Sequence, residues 1–152
     1  MIIVVLDIIR RRFMHDIKLV IENIEKLGSM IYAPPATIEQ IDYFEKKHDI
    51  RLPWGYRQWL AFSDGGELFV PAGVQLYGVA HKPCIDINSS NKPSDEYIVI
   101  GALCSGDPIL CKKNSEEIAI YNLESGRIEK DEIYSDFGAF LEDLDDVLGV
   151  GK

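Results

Sequence analysis

The chain has little of what most catalytic and secreted domains rely on. Its cysteines, Cys84, Cys104 and Cys111, make neither an even set nor a C-x-x-C pair. That argues against a secreted disulfide framework and for a reducing, cytoplasmic setting. Histidine is equally scarce, limited to His15, His48 and His81, and no G-x-S-x-G elbow is present. A nucleophilic hydrolase needs a base within reach of its nucleophile, so none is expected. Gly101–Gly106 lacks the Lys-Ser/Thr ending and the following helix of a phosphate loop. His81-x-x-Cys84 with Cys104 and Cys111 could supply zinc ligands. The spacing from Cys104 to Cys111 does not fit a knuckle, and apolar surroundings make both read as buried thiols. Glu142, Asp143, Asp145 and Asp146 lack the alternating Asp/Asn loop and central glycine of a calcium site, and read as a solvated helix face. The expectation is no catalysis, no cofactor and no metal. Long apolar runs are also missing. Residues 2–9 are apolar, but a membrane-spanning helix needs about 20 such residues, so no membrane association is expected.

Positive charge is scarce where negative charge is dense. The chain carries 16 Lys/Arg against 25 Asp/Glu, a formal net charge of −9. Residues 114–152 hold Arg127, Lys130 and Lys152 against 11 acidic residues, a net of −8, whereas residues 1–36 hold five basic and four acidic residues, a net of +1. Such a field repels nucleic acid and anionic membranes and attracts basic partners. The same charge could serve solubility alone. A chain of 152 residues with ordinary apolar content supports one domain with its own core.

Residues 1–13 fit two readings. Ile and Val favour an additional strand. Alternatively, Met14 is the native start, and Arg10-Arg11, if encoded AGG-AGG, belongs to an upstream ribosome-binding site. A single domain is then expected over residues 14–152.

From Asp16 the pattern becomes helical. Ile17, Val20, Ile21, Ile24 and Leu27 share one face, with Asp16 as cap and Gly28 as a left-handed stop. Pro34-Pro35 breaks the chain, and Thr37-Ile-Glu-Gln40 opens a second helix to His48 with a capping box. Leu52-Pro53 starts a third, with Pro53 at the first helical position; Tyr56, Trp59, Leu60 and Phe62 form its aromatic face and Asp64-Gly65-Gly66 stops it. Short β-branched runs follow at Val74–Val79, Tyr97–Leu103, Ile109–Cys111 and Ile118–Leu123, separated by turn residues. A last helix over Asp136–Leu148 carries Phe137, Phe140, Leu141, Leu144 and Leu148 on one stripe. Helices, then hairpins, then a helix define an α+β domain: N-terminal helices on a mainly antiparallel sheet with a closing C-terminal helix.

Four segments in this order carry a family resemblance. Ile38–Gly66 contains an apolar-x-Leu52-Pro53 step, then Tyr56-x-x-Trp59-Leu60, then Gly65-Gly66. Leu76-Tyr77-Gly78, the Tyr97–Gly101 run with Ser105-Gly106-Asp107, and Ser135–Leu141 with Phe137, Phe140 and Leu141 follow. Over roughly residues 36–148 the chain resembles the SUKH superfamily, which includes fungal regulators of cell-wall assembly. Helix starts, positive-φ turns and core packing account for these motif residues, so they mark the fold and not a site.

The resemblance implies a binding role. Bacterial members are mostly immunity proteins that neutralise a toxin, often a nuclease, and fungal members are interaction hubs. The chain departs from the family pattern at Arg127–Tyr134, where Glu129-Lys130-Asp131-Glu132 interrupts the expected last strand, leaving a strand or an exposed acidic loop as the two readings. A nuclease must present Lys and Arg to phosphate, and carboxylates can meet that patch. The candidate partner-binding residues are therefore Glu116, Glu117, Glu129, Asp131 and Glu132.

Overall fold

The computed structural model describes residues 17–71 and 73–149. Both readings of residues 1–13, and the cap assigned to Asp16, lie outside the described residues.

Helices α1 (Ile17–Glu25), α2 (Ile38–His48) and α3 (Trp54–Phe62) come first, with β1 (Met30–Ile31) between α1 and α2. Strands β2 (Gly66–Leu68), β3 (Val74–Leu76), β4 (Tyr97–Leu103), β5 (Pro108–Lys112), β6 (Ile118–Asn122) and β7 (Arg127–Tyr134) follow, and α4 (Phe137–Leu148) closes the chain. The seven strands form one sheet in sequence order, each antiparallel to the next. The expected α+β class is thus the observed one.

Strand alternation divides the sheet into two faces. Ile98, Ile100, Ile109, Cys111, Ile118 and Ile120 are fully buried and belong to the core beneath the helices. The helices supply Ile17, Val20, Ile21 and Ile24 from α1, Tyr56, Trp59 and Leu60 from α3, and Phe137, Phe140, Leu141 and Leu144 from α4. Each such side chain contributes about 1.5–3 kcal/mol of transfer free energy. Val99, Leu110, Ala119 and Ile133 are register partners across β4–β7 and point away from that core.

Local chemistry explains most boundaries. At α2, Thr37 Oγ1 accepts the Gln40 N–H at 3.1 Å and Gln40 Oε1 accepts the Thr37 N–H at 2.9 Å, which completes the expected box. Asp136 caps α4 through the Ala139 N–H at 2.8 Å. α3 begins one residue later than expected: Pro53 is its N-cap and offers no side-chain bond. A distant residue compensates, because Glu116 Oε1 accepts the Trp54 N–H at 2.7 Å.

Two expectations are corrected, and one open reading is decided. Gly28 is not left-handed. Its lack of a side chain instead makes room for the Phe69 ring, whose Cδ1 lies 2.5 Å from where a Cβ would stand. Cys104 is exposed, since β4 ends at Leu103 and the cysteine falls in the following turn; Cys111 alone of the expected pair is buried, and burial pushes its thiol up to about 12. Glu129–Glu132 is not a loop but lies within β7. Arg127 and Ile128 before this stretch and Ile133 and Tyr134 after it pair with β6, and these flanking pairs carry the weakly strand-forming Glu, Lys and Asp through the strand. The disturbance survives as a register slip: Ala119 faces Ile133, while Tyr121 faces Ile128.

Candidate functional site

Two polar centres stand out, one buried and one at the surface. The buried one grows from the end of α3. Gly65 (φ +99°) and Gly66 (φ +110°) turn the chain into β2 through backbone conformations that side chains disfavour. Just before them, the Asp64 side chain is wholly buried. Its Oδ1 accepts the Val79 N–H at 2.7 Å, and its Oδ2 accepts those of Ala80 at 2.9 Å and His81 at 2.7 Å. His81 Nδ1 lies 2.7 Å from the same Oδ2. Gly78 leaves the carboxylate its space, because a Cβ there would stand 2.6 Å from Oδ1. The anchored loop then returns to the sheet: Gly78 bridges Cys84, and Asp86 bridges Val99 beside β4.

An Asp–His pair of this kind can orient a catalytic imidazole. Among the described residues, however, no hydroxyl or thiol hydrogen-bonds to His81, and three of the four contacts to Asp64 are backbone amides. The arrangement organises a loop. Sequence reasoning read Asp64 only as a helix stop. The signal available was a carboxylate placed directly before two glycines, where the chain turns inward.

The surface centre lies on β7. Of the expected residues, Glu129, Asp131 and Glu132 share that strand, and the structure adds Asp107 from the β4–β5 turn. Asp107 Oδ1 accepts the Leu123 N–H at 3.1 Å, which ties this turn to the β6–β7 turn. Partial burial, then the charges of Asp131, Asp107 and Glu129, raise the Glu132 carboxyl above its ordinary range. The nearby cation of Arg127 is engaged, with Nε 3.1 Å from Glu129 Oε1. Sequence spacing could not join Asp107 to β7, because only sheet register brings the two turns together.

Glu116 and Glu117 do not belong to that cluster. They precede β6 and so lie at the opposite end of the sheet from the β6–β7 turn. Glu116 holds the start of α3, and Glu117 Oε2 lies 3.5 Å from the Tyr97 hydroxyl. Both stitch elements together. On α4, Asp143 accepts the Tyr134 hydroxyl at 2.9 Å.

Glu132 has a measurable consequence. Its carboxyl binds a proton more tightly in the folded chain than in the unfolded one, so stability falls as pH rises through its folded pKa. Glu132→Gln should therefore raise the urea midpoint relative to wild type at pH 7. The difference should vanish in acid, below the ordinary carboxylate range, where both side chains are neutral. Equal midpoints at both pH values would show that the charge cluster exerts no strain.

The fold and its two centres define a class: an α+β domain with a helical layer on one face of an antiparallel meander and an acidic edge strand. Residues 35–143 match the model of the SMI1 / KNR4 family (SUKH-1). The chain belongs to that family, as the resemblance led one to expect. No curated protein matches the chain significantly. Among the described residues, no helix is long and apolar enough to cross a membrane, and no group of His, Cys, Asp or Glu is arranged to hold a metal ion.

Proposed function

We propose that this protein is an immunity-type binding protein of the cytoplasm that neutralises a cognate toxin, most simply a nuclease, by stoichiometric association and without catalysis. The observation that carries the proposal is the carboxylate cluster of Asp107, Glu129, Asp131 and Glu132. Partial burial first, and then repulsion from Asp131, Asp107 and Glu129, raises the Glu132 carboxyl above its ordinary range. A basic surface docked there relieves that repulsion and is steered toward it by the acidic field of the whole chain. The Lys and Arg side chains a nuclease presents to phosphate are such a surface, and covering them blocks its substrate. Membership of the SUKH family supports a binding role of this kind. Glu116 and Glu117 are left out of the proposed contact, because both hold the fold together. A general interaction module with no toxin partner is the other reading compatible with the family.

The test is capture from the native host at low and high salt, followed by co-expression. A basic protein that is lost at high salt, that arrests growth alone and that is tolerated with this chain supports the proposal. The combined variant Glu129→Lys, Asp131→Lys, Glu132→Lys should lower affinity at least about 100-fold, since each rim or buried charge contributes on the order of 1 kcal/mol or more. Circular dichroism should remain unchanged. Undiminished protection by that variant would remove the acidic cluster from the mechanism.

A further inference from the structure

β7 is the last strand of the sheet and pairs only with β6 among the described residues. Among the described residues its outer edge is open; Arg127, Ile128, Ile133 and Tyr134 are in register with β6, and residues 129–132 bulge across the register slip between them. The other end of the sheet is different, since β1 offers only Met30 and Ile31. An open edge is a template for pairing with another chain, and natural edges are commonly guarded by charge or by irregular register. β7 has both guards, but the charge is of mainly one sign. Glu129, Asp131 and Glu132 outnumber Arg127 and Lys130, and Arg127 is already paired with Glu129. Two copies of β7 placed edge to edge would set these carboxylates against each other. The strand thus discriminates against self-pairing and in favour of a strand rich in Lys or Arg.

Resting on the proposed acidic contact, we infer that β7 takes up an extended basic segment of the protein partner as an added strand, so that backbone hydrogen bonds join the charge contacts. Such strand addition draws affinity from the main chain and specificity from alternate side chains. Apolar groups are placed to receive the alternate residues: Ile133 is 44% exposed and Leu123, beside the β6–β7 turn, is 48% exposed.

The probe is a synthetic peptide of roughly ten residues alternating Lys with Val or Thr, long enough to run the length of an edge strand. A second peptide has the same sequence with alternate backbone amides N-methylated, which removes ladder donors but keeps every charge. Both are titrated into the full-length, isotope-labelled protein at low salt, with amide exchange followed by NMR. The expected result is slowed exchange of β7 amides with the first peptide and affinity weakened at least about tenfold with the second. Equal binding of the two peptides would overturn strand addition while leaving the acidic contact standing. Binding of neither would overturn both. β7 amides already protected by concentration-dependent dimerisation, without peptide, would assign the edge to a second copy of the chain and overturn the inference.

Discussion

Asp64→Ala is expected to lower the stability of the folded protein by about 3–5 kcal/mol, enough to leave a marginal domain largely unfolded at 37 °C. The carboxylate is wholly buried and accepts the amides of Val79, Ala80 and His81, together with the His81 ring nitrogen. Truncation removes the acceptor and leaves those backbone donors facing one another across an empty space. An unsatisfied buried donor is more damaging than an absent hydrogen bond is weak, because desolvation is no longer compensated. Asp64→Asn should fall between wild type and alanine: it keeps one acceptor oxygen and places an amide group where another acceptor stood. His81→Ala should have a much smaller effect, since the His81 ring is partly exposed and its backbone N–H is retained. Urea unfolding of the three variants checks the order. A His81→Ala loss equal to that of Asp64→Ala would show that the ring contact, and not the backbone cradle, holds the loop.

Trp59→Ala should cost about 3–5 kcal/mol, the range for removing a large aromatic side chain from a packed core. Trp59 is fully buried and sits among Tyr32, Phe62 and Phe137, with ring centroids at 6.2, 5.6 and 6.0 Å. It therefore joins α3 to α4 and to the segment following β1. Its indole N–H also reaches the Gly65 carbonyl at 2.9 Å. Trp59→Phe should lose far less, because a ring still fills much of the space and Ser63 Oγ–H continues to donate to the Gly65 carbonyl at 2.9 Å. Thermal unfolding followed by near-ultraviolet circular dichroism distinguishes the two variants. If Trp59→Phe were as damaging as Trp59→Ala, the indole hydrogen bond would outweigh packing at this position.

These two residues mark how differently sequence and structure inform the reader. Trp59 was legible in advance. It recurs with Tyr56 and Leu60 at helical spacing, and large apolar side chains at that spacing share one buried face. Asp64 was not legible, because the groups that hold it lie 15 to 17 positions further along the chain. The same split runs through the candidate surface. Glu129, Asp131 and Glu132 could be grouped from their closeness in sequence, but Glu116 and Glu117 belong to the opposite end of the sheet. Asp107 joins the cluster only through the pairing of strands. The sequence leaves β7 open between strand and loop, because its middle opposes a strand and only its two ends pair with β6.

Local chemistry by itself determined the helices, the turns, the α+β class and the excess of negative charge toward the end of the chain. These follow from residue period, capping groups and composition, all of which act over a few neighbours. The tertiary structure decided which carboxylates are structural and which face outward together, and which strand edge is left open among the described residues. Those outcomes depend on contacts between distant residues, and no local periodicity records them.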